Sequence, residues 1–136
     1  MTAVQKQKDL LTNRWRTVRA PEPSEFQIQS ALIKRLRLQC RPGVTYFAVP
    51  NGELRPDKQG AKLKAMGVRP GVSDLIFFWG GPNVLCLELK SRTGSLTPEQ
   101  KIFRDEISIK GCSFEVAHSI DQAVKILIHH GILPPG

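Results

Sequence analysis

The spacing of apolar positions changes repeatedly along the chain and predicts an alternation of helices and strands. After Ser24, the residues Ile28, Leu32 and Leu36 recur at every fourth position, which is typical of one buried helix face. Short apolar runs rich in β-branched and aromatic residues indicate strands. The predicted order is a helix from residue 24, a strand at 45–49, a short basic helix at 58–66, strands at 72–79 and 84–90, a helix at 97–110, a strand at 113–117 and a helix from 119.

The strands at 72–79 and 84–90 form the centre of the predicted fold. The tight connection at residues 80–83 indicates that they pair as an antiparallel hairpin. Both strands are apolar on both faces, which is typical of a sheet that is covered on each side. We therefore expect an α/β fold in which helices flank a small mixed sheet.

Three predicted helix starts carry the same local signal. A Ser or Thr at the N-cap with a Gln three residues later predicts a capping box. The three pairs are Ser24 with Gln27, Thr97 with Gln100, and Ser119 with Gln122.

Length, charge and cysteine usage narrow the class of protein. A chain of 136 residues with a formal net charge of +8 suits one domain with a polyanionic partner. No apolar run approaches the roughly 18 residues that span a bilayer, and the first residues do not resemble a signal peptide, so we expect no membrane partner. Cys40, Cys86 and Cys112 lack metal-ligand spacing and suit a reducing cytoplasm. We expect a basic, flexible arm at residues 1–22 and one domain at residues 23–136.

Asp74, Glu88 and Lys90 form the candidate site. Alternate residues of a strand share a face, so Glu88 and Lys90 point the same way. Asp74 opens the preceding strand and lies opposite Glu88 to within about one residue of register. Two carboxylates this close favour Mg²⁺ or Mn²⁺, to which the backbone carbonyl of Leu89 could add an oxygen. An ion cluster of the three side chains at a solvent-facing sheet edge is the alternative reading of the same charges.

Two further polar residues have both a local and a functional interpretation. Glu25 lies three residues before Ile28, so we expect it to share the inward stripe and to add a third acid. An acid in the first turn of a helix also stabilises the helix dipole without any catalytic role. Gln100 is explained equally well as part of its capping box.

Taken together, these residues resemble the PD-(D/E)XK nuclease superfamily, and within it the VRR-NUC branch. The resemblance is carried by residues 49–52, 64–74, 87–90 and 96–100 and extends over about residues 24–130. In one departure, Ser73 stands where the superfamily often has Pro before the first acid. The resemblance implies a restriction-endonuclease-like core with the order α-β-β-β-α-β.

The resemblance also implies roles for the site residues in a metal-dependent DNA nuclease. It implies a Mg²⁺ or Mn²⁺ site whose ligands are Asp74, Glu88, the Leu89 carbonyl and, directly or through a water, Glu25. Lys90 would orient or help deprotonate the attacking water, and Gln100 would line the site. This matches the physical logic of phosphodiester hydrolysis, in which cations stabilise the negative charge that develops on the phosphate.

Basic residues around the motif predict phosphate contacts with little sequence preference. The nucleic-acid-binding candidates are Asn51, Lys58, Lys62, Lys64, Arg69 and Arg92. Stand-alone members of the branch resemble dimeric Holliday-junction resolvases, which implies a homodimer that acts on branched or flapped DNA. A monomer that depends on partner proteins, a non-catalytic nucleic-acid-binding module and a sequence-specific restriction-type enzyme are the alternatives.

Overall fold

The structure, a computed structural model, describes residues 2–4, 21–50 and 58–136, with side chains in the last range from residue 60 onward. Most of the predicted basic arm lies outside the described residues. So do Asn51 and the side chain of Lys58, two of the predicted DNA contacts.

Across residues 21–50 and 58–136, four helices and four strands follow one another in the order that the apolar pattern predicts. They are α1 (Glu25–Gln39), β1 (Thr45–Ala48), α2 (Lys58–Ala65), β2 (Leu75–Trp79), β3 (Asn83–Leu89), α3 (Pro98–Ile109), β4 (Ser113–Ala117) and α4 (Ile120–His129). The main difference from the prediction is that β2 begins at Leu75 rather than at residue 72.

The strands form one mixed sheet in the order β1-β2-β3-β4. β1 and β2 are antiparallel, β2 and β3 form the predicted antiparallel hairpin, and β4 runs parallel to β3. The parallel pair requires a crossover connection, which α3 provides. This topology makes β3 an interior strand with neighbours on both edges.

One face of the sheet is buried by α1 and α4. The predicted stripe of α1 (Ile28, Leu32 and Leu36) packs in a single cluster with Ala123 and Leu127 of α4. The sheet contributes the fully buried Leu75, Phe77, Leu85, Leu87 and Leu89 to the same cluster. The helices and strands are therefore held together by one continuous apolar core.

The opposite face of the sheet is covered only in part. Phe103 of α3 packs edge-to-face against Phe114 of β4, with ring centroids 6.5 Å apart. On the β1–β2 side, Phe78 is 42% exposed and Phe47 is 45% exposed. The prediction that β2 is covered on both faces was therefore wrong. The apolar composition of a strand does not reveal which part of a sheet face lacks a covering helix.

The helix starts match the predicted caps in two cases of three. Ser24 and Thr97 each form a complete capping box with the Gln three residues later. At α4, the Ser119 hydroxyl accepts from the backbone N–H of Gln122, but the Gln122 side chain accepts instead from the N–H of His118, at 2.8 Å. The third predicted box is thus only half formed.

The described residues also bear on the membrane and cysteine predictions. No helix in the described part of the chain has the length and apolarity that crossing a bilayer requires. The three cysteines are free; Cys86 is buried, and Cys40 and Cys112 are partly buried.

Candidate active site

The hairpin brings Asp74 and Glu88 together. Leu75 pairs with Leu87 in the β2–β3 ladder, so the next pair toward the open end of the hairpin is Asp74 and Glu88. Directly opposed residues of an antiparallel pair place their Cβ atoms roughly 5 Å apart on the same face. The register thus sets the two carboxylates next to each other at the end of the ladder.

The Asp74 side chain is fixed by the end of the neighbouring strand. Its Oδ2 accepts a hydrogen bond from the backbone N–H of Leu89, at 2.8 Å. On the other edge, the Asp74 carbonyl accepts from the N–H of Val49, at 2.9 Å. Asp74 is therefore hydrogen-bonded to the ends of both neighbouring strands. Because its carboxylate takes the N–H of Leu89, the regular β2–β3 ladder ends at Leu75.

Glu88 is the most strongly perturbed group in the site. Its side chain is only 3% exposed, and its Oε1 accepts from Gln100 Nε2 at 2.9 Å. Among the described residues, its other buried oxygen, Oε2, has no hydrogen-bond partner. Burial, followed by the negative charge of Asp74, raises the pKa of Glu88 from 4.5 to about 9, against a smaller lowering by the positive charge of Lys90.

Lys90 completes the group of three that the sequence singled out. It follows Glu88 by two residues and is 8% exposed, which is rare for an ammonium group without a nearby anion. Its backbone N–H donates to the Ala117 carbonyl, at 2.9 Å, which ties the end of β3 to β4. The structure thus excludes the alternative of a solvent-facing ion cluster, because Glu88 and Lys90 are buried.

Gln100 connects the site to the start of α3. Its Oε1 accepts from the backbone N–H of Thr97 at 2.9 Å, while its Nε2 donates to Glu88. Gln100 therefore serves both predicted roles at once: its amide oxygen caps the helix, and its amide nitrogen binds Glu88.

Gly71, in the turn before Asp74, is a positioning residue that the apolar pattern does not single out. It has a φ of +88°, and a Cβ on it would lie 2.5 Å from the Glu99 carbonyl oxygen and 2.9 Å from the Gln100 nitrogen. The turn before Asp74 therefore packs directly against the first turn of α3. A Pro-Gly pair just before an acid is the signal that could have indicated this close approach.

Glu25 lies outside the carboxylate pair that Asp74 and Glu88 form. Its side chain is exposed, so the expectation that it shares the buried stripe with Ile28 was wrong. Within the described ranges, no three His, Cys, Asp or Glu side chains are grouped closely enough to hold a metal ion. The negative charge of Glu25 nevertheless contributes to the raised pKa of Glu88, as the smallest of the causes.

The donor set fits a hard divalent cation. Two adjacent carboxylates, one with an unpartnered buried oxygen, are costly unless a positive charge neutralises them. The N–H and C=O of one strand residue point to the same edge, so the Leu89 carbonyl faces the same side as the N–H that Asp74 binds. Asp74, Glu88 and the Leu89 carbonyl would supply oxygen ligands of the kind that Mg²⁺ and Mn²⁺ prefer.

The basic candidates fall into two groups. Lys62 and Lys64 are exposed on α2. Arg69 bonds to Glu106 of α3 and lies 5.7 Å from the ring centroid of Phe103, so it ties the Asp74 turn to that helix. Arg92 pairs with Glu22 at 2.8 Å, and both side chains are largely exposed. Within the described ranges, the side chains of the two lysines make no ion pair of the kind that occupies the two arginines.

The comparisons with known proteins agree on one family. The family model for the VRR-NUC domain matches residues 24–121. A solved structure described as a VRR_NUC domain protein superposes with a TM-score of 0.63 at 22% identity, covering 79% of this chain and 87% of the other. A second, described as a VRR_NUC domain, has a TM-score of 0.53 at 18% identity, covering 79% and 98%. No curated protein matches the chain significantly.

Proposed function

This chain belongs to the VRR-NUC domain family, and from that premise we propose that it is a metal-dependent DNA nuclease that hydrolyses phosphodiester bonds. The family accounts for the nuclease fold and makes DNA the expected substrate. For the two finer parts of the proposal, metal dependence and the preferred DNA structure, the support comes from the residues of the site.

The unpartnered Glu88 Oε2 beside Asp74 is the observation that carries the proposal. A buried carboxylate oxygen without a hydrogen bond is expensive, and a protein keeps one only where it has a use. Its neighbours are a second carboxylate and a buried ammonium group. An acid pair that can hold a divalent cation, with a lysine beside it, suits metal-assisted phosphodiester hydrolysis.

Each residue of the site then has a task that its contacts support. When bound, Mg²⁺ or Mn²⁺ supplies a Lewis acid and lowers the pKa of a water. Asp74 and Glu88 would hold the cation with the Leu89 carbonyl, and Gln100 fixes one Glu88 oxygen so that the other is free to bind. Lys90 would orient or help deprotonate the attacking water and stabilise the negative charge on the phosphate. Glu25 would bind the cation directly or through a water.

The preferred substrate is branched or flapped DNA. Lys62, Lys64 and the remaining basic residues supply phosphate contacts, which carry no sequence information. Selectivity must then come from the shape of the DNA. A homodimer that presents two sites to one branch suits a chain of this size.

Metal-dependent cleavage tests the proposal directly. Wild-type protein is incubated with single-stranded, flapped, four-way-junction and plain duplex DNA in Mg²⁺, Mn²⁺ or EDTA. Wild-type protein should cut in metal only, and Asp74→Asn, Glu88→Gln and Lys90→Met should each slow cutting by about 100-fold or more while still binding DNA. Glu99→Gln, which removes an exposed acid on the neighbouring helix, is the matched control and should cut normally.

Four outcomes would count against this function. Cleavage in EDTA, or full activity of Glu88→Gln, would exclude the metal mechanism. Binding without any cleavage of any substrate would instead support a non-catalytic nucleic-acid-binding module, which the net charge of +8 also suits. Cutting of plain duplex at one fixed sequence would favour a restriction-type enzyme.

A further inference from the structure

We propose that Phe47 and Phe78 form a stacking platform for an unpaired base of the DNA strand that is cut. This inference rests on the proposed action on DNA and adds a substrate feature to it, namely a single-stranded segment next to the cleavage position.

The two rings form an exposed aromatic pair. Their centroids are 6.0 Å apart with an angle of 25° between the ring planes. Phe47 is 45% exposed and Phe78 is 42% exposed. By contrast, Tyr46 and Phe77, the stacked pair one residue earlier in each strand, face the core. The aromatic surface of the outer pair is available to a ligand.

The platform lies on the same sheet face as the candidate site. Phe78 follows Asp74 by four residues, an even number, so the two share a face. At roughly 3.3 Å per strand residue, they are about 13 Å apart along the strand. That separation corresponds to a few nucleotides, since stacked bases of one strand are about 3.4 Å apart. One strand can therefore reach from the carboxylates to the two rings.

The charges near the two rings, and the position of α3 over the sheet, favour nucleic acid as the ligand of the aromatic pair. β1 and β2 contain no charged residue, so no acid on these two strands repels a phosphate along this path. Lys62 and Lys64, on the helix that precedes β2 in the chain, are exposed and basic. α3 covers the β4 side of the same face through Phe103 but leaves Phe47 and Phe78 open.

The size of the patch argues against a protein partner. Each ring leaves roughly 100 Å² exposed, so the pair offers on the order of 200 Å², whereas a standard protein interface needs roughly 800 Å² per partner. A single base covers an aromatic ring well, and base–aromatic stacking is worth about 1–3 kcal/mol per base. Exposed aromatic residues on a sheet are also a known way to bind unpaired bases.

The test compares two DNAs in EDTA, so that binding is measured without cleavage. One is a blunt duplex and the other is the same duplex with a single-stranded tail that carries 2-aminopurine. The variant Phe47→Leu/Phe78→Leu keeps apolar side chains but removes both rings. It should bind the tailed DNA about 10-fold more weakly, with loss of 2-aminopurine quenching, while blunt-duplex affinity changes by less than about 2-fold.

Two further variants make the result specific. Phe47→Tyr/Phe78→Tyr retains aromatic rings and should bind the tailed DNA like the wild type. Phe26→Leu removes another exposed ring, 79% exposed on α1, and should change neither affinity. Equal loss on both DNAs, or no loss on either, would overturn the inference.

The same samples are also examined for oligomeric state. If the leucine variant loses self-association while its DNA affinities are unchanged, the patch is a contact between two copies and the inference is wrong. Because no metal is present, these results stand even if the wild-type protein binds DNA but never cuts it, in which case only the proposed nuclease function fails.

Discussion

Two buried oxygen atoms, Ser73 Oγ and Glu88 Oε2, find no hydrogen-bond partner among the described residues, and they differ in chemical meaning. The Glu88 oxygen adjoins a second carboxylate and a lysine, so it has a use in the proposed metal site. The Ser73 hydroxyl is fully buried just before Asp74 and has no such neighbour assigned.

Removing the Ser73 hydroxyl should stabilise the protein. An unsatisfied buried hydroxyl costs about 1–3 kcal/mol, and alanine fits the space without that cost. We expect Ser73→Ala to raise the free energy of unfolding by about 1 kcal/mol in urea denaturation without loss of DNA cleavage. Ser95→Ala, at an exposed loop serine, is the control and should be neutral. A loss of stability in Ser73→Ala would show that the hydroxyl has a hidden partner.

The raised pKa of Glu88 predicts a pH-dependent stability of the metal-free protein. Because its folded pKa of about 9 exceeds the ordinary 4.5, the folded state favours the protonated form. The stability from this protonation is complete below about pH 4.5 and is lost as the pH rises toward 9.

The variant Glu88→Gln keeps a neutral side chain of the same shape and so should remove this dependence. At pH 8 in EDTA it should be more stable than wild type by an amount on the order of 2 kcal/mol, and at pH 5 the difference should shrink. Thermal melts across this range measure it, with Glu99→Gln as the control. A difference that is constant with pH would contradict the assignment.

At the scale of elements, much of the fold follows from local signals in the sequence. The complete capping boxes at Ser24 and Thr97 fix two helix starts, and the short connection between β2 and β3 fixes the hairpin. The hairpin in turn places Asp74 opposite Glu88. These features are local, so a single sequence is enough to predict them.

Other features depend on contacts between distant segments and could not be predicted. The exposure of Phe78 reflects where α3 ends its cover of the sheet, which no strand pattern records. The exposure of Glu25 depends on how the first turn of α1 meets the sheet rather than on its spacing from Ile28. The Gln100–Glu88 contact likewise requires the docking of α3.

The contact between Gly71 and α3 predicts a sensitive position. Gly71→Ala introduces both an unfavourable positive φ and a Cβ 2.5 Å from the Glu99 carbonyl oxygen. We expect a loss of more than about 2 kcal/mol in unfolding free energy, together with slower cleavage, because α3 and Gln100 must shift.

The variant Gly67→Ala separates the effect of backbone strain from the effect of the Cβ clash with α3. Gly67 has a similar φ of +93°, but a Cβ there meets nothing within 4 Å. It should therefore cost only the backbone strain, about 1 kcal/mol, and leave cleavage intact. Equal effects of the two substitutions would mean that the approach of Gly71 to α3 is unimportant.

At the scale of the whole molecule, the charge of +8 should determine how tightly DNA binds. Each phosphate contact contributes about 0.7–0.9 to the slope of log affinity against log salt. Lys62→Gln/Lys64→Gln should reduce that slope by about 1–2 and weaken binding of all DNAs alike, since phosphate contacts are not sequence-specific. Filter binding at several salt concentrations measures the slope.

Lys125→Gln is the matched control. Lys125 is an exposed lysine of α4, which covers the sheet face opposite the site, so its removal should leave the slope nearly unchanged. If removing Lys125 lowers the slope as much as removing a lysine of α2, the DNA is bound through diffuse charge rather than along the site face.

The Gln100 amide uses its oxygen for the helix cap and its nitrogen for Glu88, and this has a consequence for selection experiments. A glutamate at this position can accept from the Thr97 N–H as glutamine does, so Gln100→Glu keeps the helix cap. It also replaces the N–H that faces Glu88 with another anion, so a screen for DNA cutting rejects it. One atom, Gln100 Nε2, thus separates what the helix cap requires from what the candidate site requires.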